Sequence, residues 1–202
     1  MDIVSLLVSF GLLMIAITVH EFAHALVAYK LGDNTAKNAG RVTLNPLAHI
    51  DIFWTLLLPI ILFITIGFAI GSAKPVPINY WALKNPKRDT ILIGASGPMA
   101  NLILAFILSI IWRLIPHSFI IDLICENLIY INILLAVFNL LPIPPLDGSR
   151  ILMGLLPREL AYRYSMIGPL GTIIIVLLLA TIFKSVILPV TRIIFSLFTG
   201  HL

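Results

Sequence analysis

Charge is scarce in this chain. Only 11% of its 202 residues are Asp, Glu, Lys or Arg, against 60% hydrophobic, and the mean hydropathy is +1.09. Soluble domains carry about 25% charged residues, so a soluble globular protein is excluded, and the length leaves no room for a sizeable soluble domain. A single cysteine, Cys125, excludes an intramolecular disulfide and any cysteine-rich zinc site. Internal repeats and low-complexity tracts are absent. So is the basic n-region of a cleavable signal peptide, and the N-terminal apolar run is expected to be retained. Acidic residues are the scarcer sign, 9 against 13 Lys and Arg. In so apolar a chain that excess belongs to cytoplasmic loops and lipid headgroups before nucleic acid.

Long apolar runs take the place of charge. A helix needs about 20 apolar residues to cross a hydrocarbon core of about 30 Å. Runs of suitable character cover residues 3–31, 52–71, 90–112, 123–141, 167–183 and 186–198, the last short and interrupted by Arg192. The expectation is an all-α polytopic membrane protein with five or six membrane-embedded helical segments. It forms one domain over 1–202, with a core of about 1–156 and C-terminal helices over about 164–200. Gly40–Leu44, in the polar stretch after the first run, reads as a short strand, tolerated at membrane depth only against protein or a cavity. Trp54, Trp81 and Trp112 suit an aromatic belt at the membrane boundary.

Basic residues constrain the topology. If 52–71 dips into the membrane and returns, with Pro59 at its turn, the loops at 30–51, 72–89 and 148–165 share one side. That side then carries most of the Lys and Arg, as a cytoplasmic face does. A full crossing by 52–71 would divide them between compartments.

Within the first run His20, Glu21 and His24 are the only acidic or basic side chains between Asp2 and Lys30, the Tyr29 phenol apart. Ionisable groups at such depth are costly and point to function. In a helix His20 and His24 stand one turn apart on one face, where two imidazoles can hold one Zn²⁺. This is His-Glu-x-x-His, the metalloprotease pattern, with Glu21 as general base. A catalytic zinc usually takes a third protein ligand. The candidate is Asp147, where Pro142, Pro144 and Pro145 break a helix and open the backbone. The same Asp147-Gly148-Ser149 would equally suit an ordinary helix N-cap.

The pairing of His20-Glu-Phe-Ala-His24 with Asn139-Leu-Leu-Pro-Ile-Pro-Pro-Leu-Asp-Gly148 resembles the site-2 protease family of intramembrane zinc metalloproteases. Gly97-Pro98-Met-Ala-Asn101 resembles that family's Gly-Pro-x-x-Asn signature. The resemblance implies His20, His24 and Asp147 as ligands of one Zn²⁺ per chain, Glu21 as catalytic base, and Asn139 and Asn101 in binding the substrate backbone. It implies a membrane-dipping β structure after the first helix, and cleavage of transmembrane-helix substrates within the lipid bilayer. Nothing resembles the PDZ or nucleotide-sensing CBS domains of longer members, and the short form suggests a multi-pass protein of a prokaryotic plasma membrane. Two rivals remain at this point: a zinc-binding membrane protein without protease activity, and a transporter relaying protons through His20, Glu21 and His24.

Overall fold

The computed structural model describes residues 3–50, 75–166 and 181–200. The long apolar run opens as helix α1, Ile3–Lys30, and closes at Gly32, whose φ of +106° turns the chain out of the helix. A short helix α2 (Thr35–Asn38) and a 3₁₀ turn (Pro46–His49) follow. Another 3₁₀ turn, Tyr80–Ala82, leads into α3, Pro86–Leu114. Pro86 opens α3, where a missing N–H costs nothing. Ser118 then caps α4 (Phe119–Asn139) by accepting from Ile121 N–H. Beyond the proline-rich loop come α5 (Asp147–Leu155) and α6 (Arg158–Ser165). A π turn at Phe183–Ile187 runs into α7, Leu188–Thr199.

Three helices among the described residues are long and apolar enough to cross a membrane: Val8–Lys30, Pro86–Leu114 and Phe119–Asn139. They pack on one another, and α5 lies against α3. The expected segments 52–71, with Trp54, and most of 167–183 lie outside the described residues. Between α3, α4 and α7 the core is built from Ala105, Trp112, Ile129, Ile133, Val137 and Ile187. In lipid such burial stabilises through close packing rather than by excluding water.

Two expectations need correction. Gly40–Leu44 forms no strand, and none occurs among the described residues. Its polar groups are taken locally instead: Gly40 turns at φ +69°, Arg41 N–H donates to Ala36 O, and His49 Nε2 donates to Thr43 O at 2.9 Å. Trp112 is no belt residue, being only 3% exposed, because its indole N–H reaches Asp122 Oδ1 at 2.7 Å. Trp81, at 97% exposed, keeps the character of an interfacial anchor.

The three basic loops meet at one end of the bundle. Asn79 N–H donates to Asp33 Oδ2 at 2.7 Å, and Lys87 Nζ donates to Leu156 O at 2.7 Å. Lys30, Lys84 and Arg88 surround one cleft there. The re-entry of 52–71 that the positive-inside argument favours lies outside the described residues.

Asp33 fastens this end. It is fully buried and also accepts from Thr35 N–H at 2.9 Å. Burial pushes its carboxyl up, but the hydrogen bonds from Thr35 and Asn79 outweigh that and hold it below its ordinary value of 3.8. A depressed carboxylate stabilises the fold above its unfolded pKa and loses that contribution as pH falls through the folded one. Asp33→Ala should cost about 1–3 kcal/mol by stranding two N–H groups. Thermal unfolding in detergent should show that deficit near neutral pH, and the gap to wild type should close in acid.

Candidate active site

Helix α1 brings His20 and His24 to one buried face, 5% and 3% exposed. Behind each ring is an acceptor. His20 Nδ1 lies 2.6 Å from Asn101 Oδ1, and His24 Nδ1 lies 2.7 Å from the Ile93 carbonyl with Ser96 Oγ at 3.2 Å. Oxygens that only accept require the proton on Nδ1. The Asn101 oxygen is identified by its other end, since Nδ2 donates to the Ala16 carbonyl at 2.9 Å. With the proton on Nδ1, each Nε2 is the nitrogen left to meet a cation inside the site.

The third acceptor comes from the far side of the chain. Asp147 Oδ2 stands 2.9 Å from His20 Nε2 and 3.0 Å from His24 Nε2, and the two nitrogens are 3.1 Å apart. Asp147 is the first residue of α5, but its carboxylate caps no helix N–H. The loop before it is closed by Leu146 N–H donating to Ile143 O at 3.0 Å and by Tyr164 Oη donating to Pro142 O at 2.7 Å. Gly148 is required there: a Cβ would stand 2.2 Å from Leu140 O. Arg150 donates to Asp147 Oδ1 at 2.9 Å, which leaves Oδ2 for the histidines.

This donor set fits zinc. Two imidazole nitrogens and one carboxylate oxygen, one from each residue and all within 4.8 Å of one another, face a common point as electron-pair donors. Tetrahedral zinc holds its ligands roughly 3.3 Å apart, so the atoms need move only by tenths of an ångström. The space is kept open by Gly97 on α3, whose Cβ, if present, would lie 2.4 Å from His24 Nε2 and 2.6 Å from His20 Nε2.

Glu21 sits beside this cluster, and its Oε2 accepts the Val76 N–H at 3.2 Å. His20, Glu21, His24, Asp147 and Arg150 line a cavity of about 440 Å³, completed by Pro75, Val76, Asn139, Pro145 and Leu146. Asn139 gives its Nδ2 to Leu135 O at 2.9 Å, and its Oδ1 has no partner among the described residues. Asn101 is different: it does not line the cavity, is fully buried, and is engaged behind His20. Its surroundings suit support of a ligand rather than contact with substrate.

The wider comparisons agree with this chemistry. A zinc metalloprotease by name, YwhC of Bacillus subtilis, is 38% identical over 87% of this chain and 81% of its own length. The chain belongs to peptidase family M50. The family model itself matches residues 116–180. Rip2 of Mycolicibacterium smegmatis, likewise named a zinc metalloprotease, is 31% identical over 88% of this chain and 68% of its own. Zinc metalloprotease MJ0392 of Methanocaldococcus jannaschii is 29% identical over 78% of this chain and 37% of its own. No solved structure matches the chain. As a member of M50, the site-2 protease family, the protein is an integral membrane zinc metalloprotease, and the transporter reading falls away.

Several site residues escape the sequence reading. Val76 contributes only a backbone N–H, which any residue but proline supplies. Arg150 looks like one more interfacial cation. Asn132, whose Oδ1 accepts from Asn101 Nδ2 at 2.7 Å, could have been found as a lone amide in mid-span.

Proposed function

We propose that this M50 peptidase is an intramembrane endopeptidase that cuts membrane-spanning segments of other proteins, in a prokaryotic plasma membrane. It would act as one domain over 1–202 with five or six embedded segments. His20, His24 and Asp147 would hold one zinc, Glu21 would serve as base, and Asn139 would bind the substrate backbone. The observation that carries this reading is the depth of the convergent donor set. His20 stands ten residues from Lys30 on the span Val8–Lys30, roughly 15 Å from its polar end and so near mid-membrane. The bacterial relatives support the plasma membrane.

Zinc, when bound, supplies Lewis acidity that acidifies water and polarises a peptide carbonyl. The chain's own groups do the rest. Glu21, with Oε2 held by Val76 N–H and no partner on Oε1 among the described residues, would take a proton from the attacking water and return it to the leaving amine. Asn139 lines the cavity with its Nδ2 engaged by Leu135 O, and its Oδ1 would serve as acceptor for a substrate N–H. A helical substrate hides its carbonyls in its own hydrogen bonds and must unwind first. The cavity between Val76 and Leu146 gives room for an extended stretch.

The test uses purified protein in liposomes with a membrane-spanning reporter. Products should map to peptide bonds inside the apolar segment, vanish with a zinc chelator and return with added zinc. Cuts confined to the soluble flanks would remove the intramembrane reading.

A further inference from the structure

The polar contacts behind His20 continue beyond Asn101 across three helices. On α4, Asn132 Nδ2 donates to the Leu128 carbonyl at 2.8 Å, and Asn132 Oδ1 accepts from Asn101 Nδ2 at 2.7 Å. On α3, the same Nδ2 donates its second proton to Ala16 O of α1 at 2.9 Å, and Asn101 Oδ1 faces His20 Nδ1 at 2.6 Å. Asn101 and Asn132 are both fully buried.

We propose that Asn132 is a positioning residue for the zinc site. Together with the Ala16 carbonyl it determines which end of the Asn101 amide faces His20, and therefore which imidazole nitrogen is left bare for the metal. The inference rests on the zinc-protease reading above. A primary amide turned by 180° keeps almost the same shape while exchanging donor and acceptor. Turned, Asn101 would present Nδ2 to His20 Nδ1, drive the imidazole proton to Nε2 and block the ligand position. It would also set Asn101 Oδ1 against two acceptors, Ala16 O and Asn132 Oδ1. The Asn132 orientation is fixed in turn by a backbone carbonyl, which cannot exchange roles. The chain of bonds thus runs from a fixed acceptor on α4 to the lone pair of a ligand on α1. Outer contacts of this kind orient metal-binding histidines, and their loss typically weakens metal affinity by about 10–100-fold.

A purely structural amide would hold helices together without affecting the imidazole, and two readouts separate the cases. One is the zinc dissociation constant of the full-length protein in detergent, by competition with a chromophoric chelator. The other is the His20 imidazole of the zinc-loaded protein by ¹⁵N-histidine NMR, in which a metal-bound Nε2 with Nδ1–H differs from a released ring carrying its proton on Nε2. Wild type should show a single Nδ1–H form. Asn132→Leu should keep its helical content, weaken zinc binding by about 10–100-fold and show a second, Nε2–H form. Asn132→Asp, which keeps an acceptor opposite Asn101 Nδ2, should restore the single tautomer. If the leucine variant does not fold, Asn132→Ser withdraws the same acceptor and carries the same expectation. Wild-type zinc affinity with a single Nδ1–H tautomer in the variant lacking that acceptor overturns the proposal. Wild-type protein that takes up no zinc would instead overturn the zinc-site assignment itself.

Discussion

Glu21→Gln should abolish peptide cleavage while leaving one zinc bound per chain. Glutamine keeps the shape and an oxygen that can accept the Val76 N–H now received by Glu21 Oε2, so the segment at Pro75 and Val76 should stay against the cavity. Glutamine cannot take a proton at neutral pH. The loss of a positioned general base typically costs about 10²–10⁴-fold in rate, or about 3–5 kcal/mol in the barrier. Zinc should be retained because the three convergent donors are His20, His24 and Asp147, and the Glu21 carboxylate is directed to Val76. The measurement pairs single-turnover cleavage of a membrane-spanning reporter with metal analysis of the same preparation. A zinc-loaded Glu21→Gln protein that still cuts near the wild-type rate would take the base assignment away. Loss of zinc together with activity would make Glu21 part of the metal's support.

The candidate ligand set was legible in the sequence because of where its residues stand. Two imidazoles in an apolar run have few structural excuses, and three prolines before Asp147 announce an opened backbone. Spacing alone did not choose between ligand and helix cap for Asp147; in the structure its Oδ2 stands beside the Nε2 atoms of His20 and His24. The strand expected at Gly40–Leu44 failed for a local reason. Side chains such as Thr43, Asn45 and His49 bond to nearby backbone and offer it an alternative to a ladder. An aromatic near a membrane boundary reads the same in belt or core; Trp112 packs in the core and its indole N–H reaches Asp122 Oδ1. Val76 was invisible because its part is a main-chain N–H. Asn101 was visible, but its motif did not say which side chain it meets: its oxygen faces His20.

Gly97 was the most ambiguous of all, since a small residue in a span reads first as a packing site. Gly97→Ala should destroy the zinc site while sparing the fold. Alanine favours a helix over glycine by about 0.8–1.0 kcal/mol, so α3 itself should not suffer. The new methyl carbon, however, would stand 2.4 Å from His24 Nε2 and 2.6 Å from His20 Nε2, among the donor atoms. Neither ring can swing away freely, because Asn101 holds His20 from behind and the Ile93 carbonyl holds His24. Zinc affinity should fall at least about 100-fold, equivalent to about 2.7 kcal/mol. Two other glycines grade the effect. Gly94→Ala would bring its carbon 3.1 Å from Arg150 Cβ and from Asp147 O, pressing α5 outward by tenths of an ångström and weakening zinc binding only modestly. Gly11→Ala meets nothing within 4 Å among the described residues and should be silent. Metal content and thermal unfolding of the three proteins, measured side by side, give the answer. Stoichiometric zinc at wild-type affinity in Gly97→Ala would mean that the histidines yield, and that their rear contacts do not hold them.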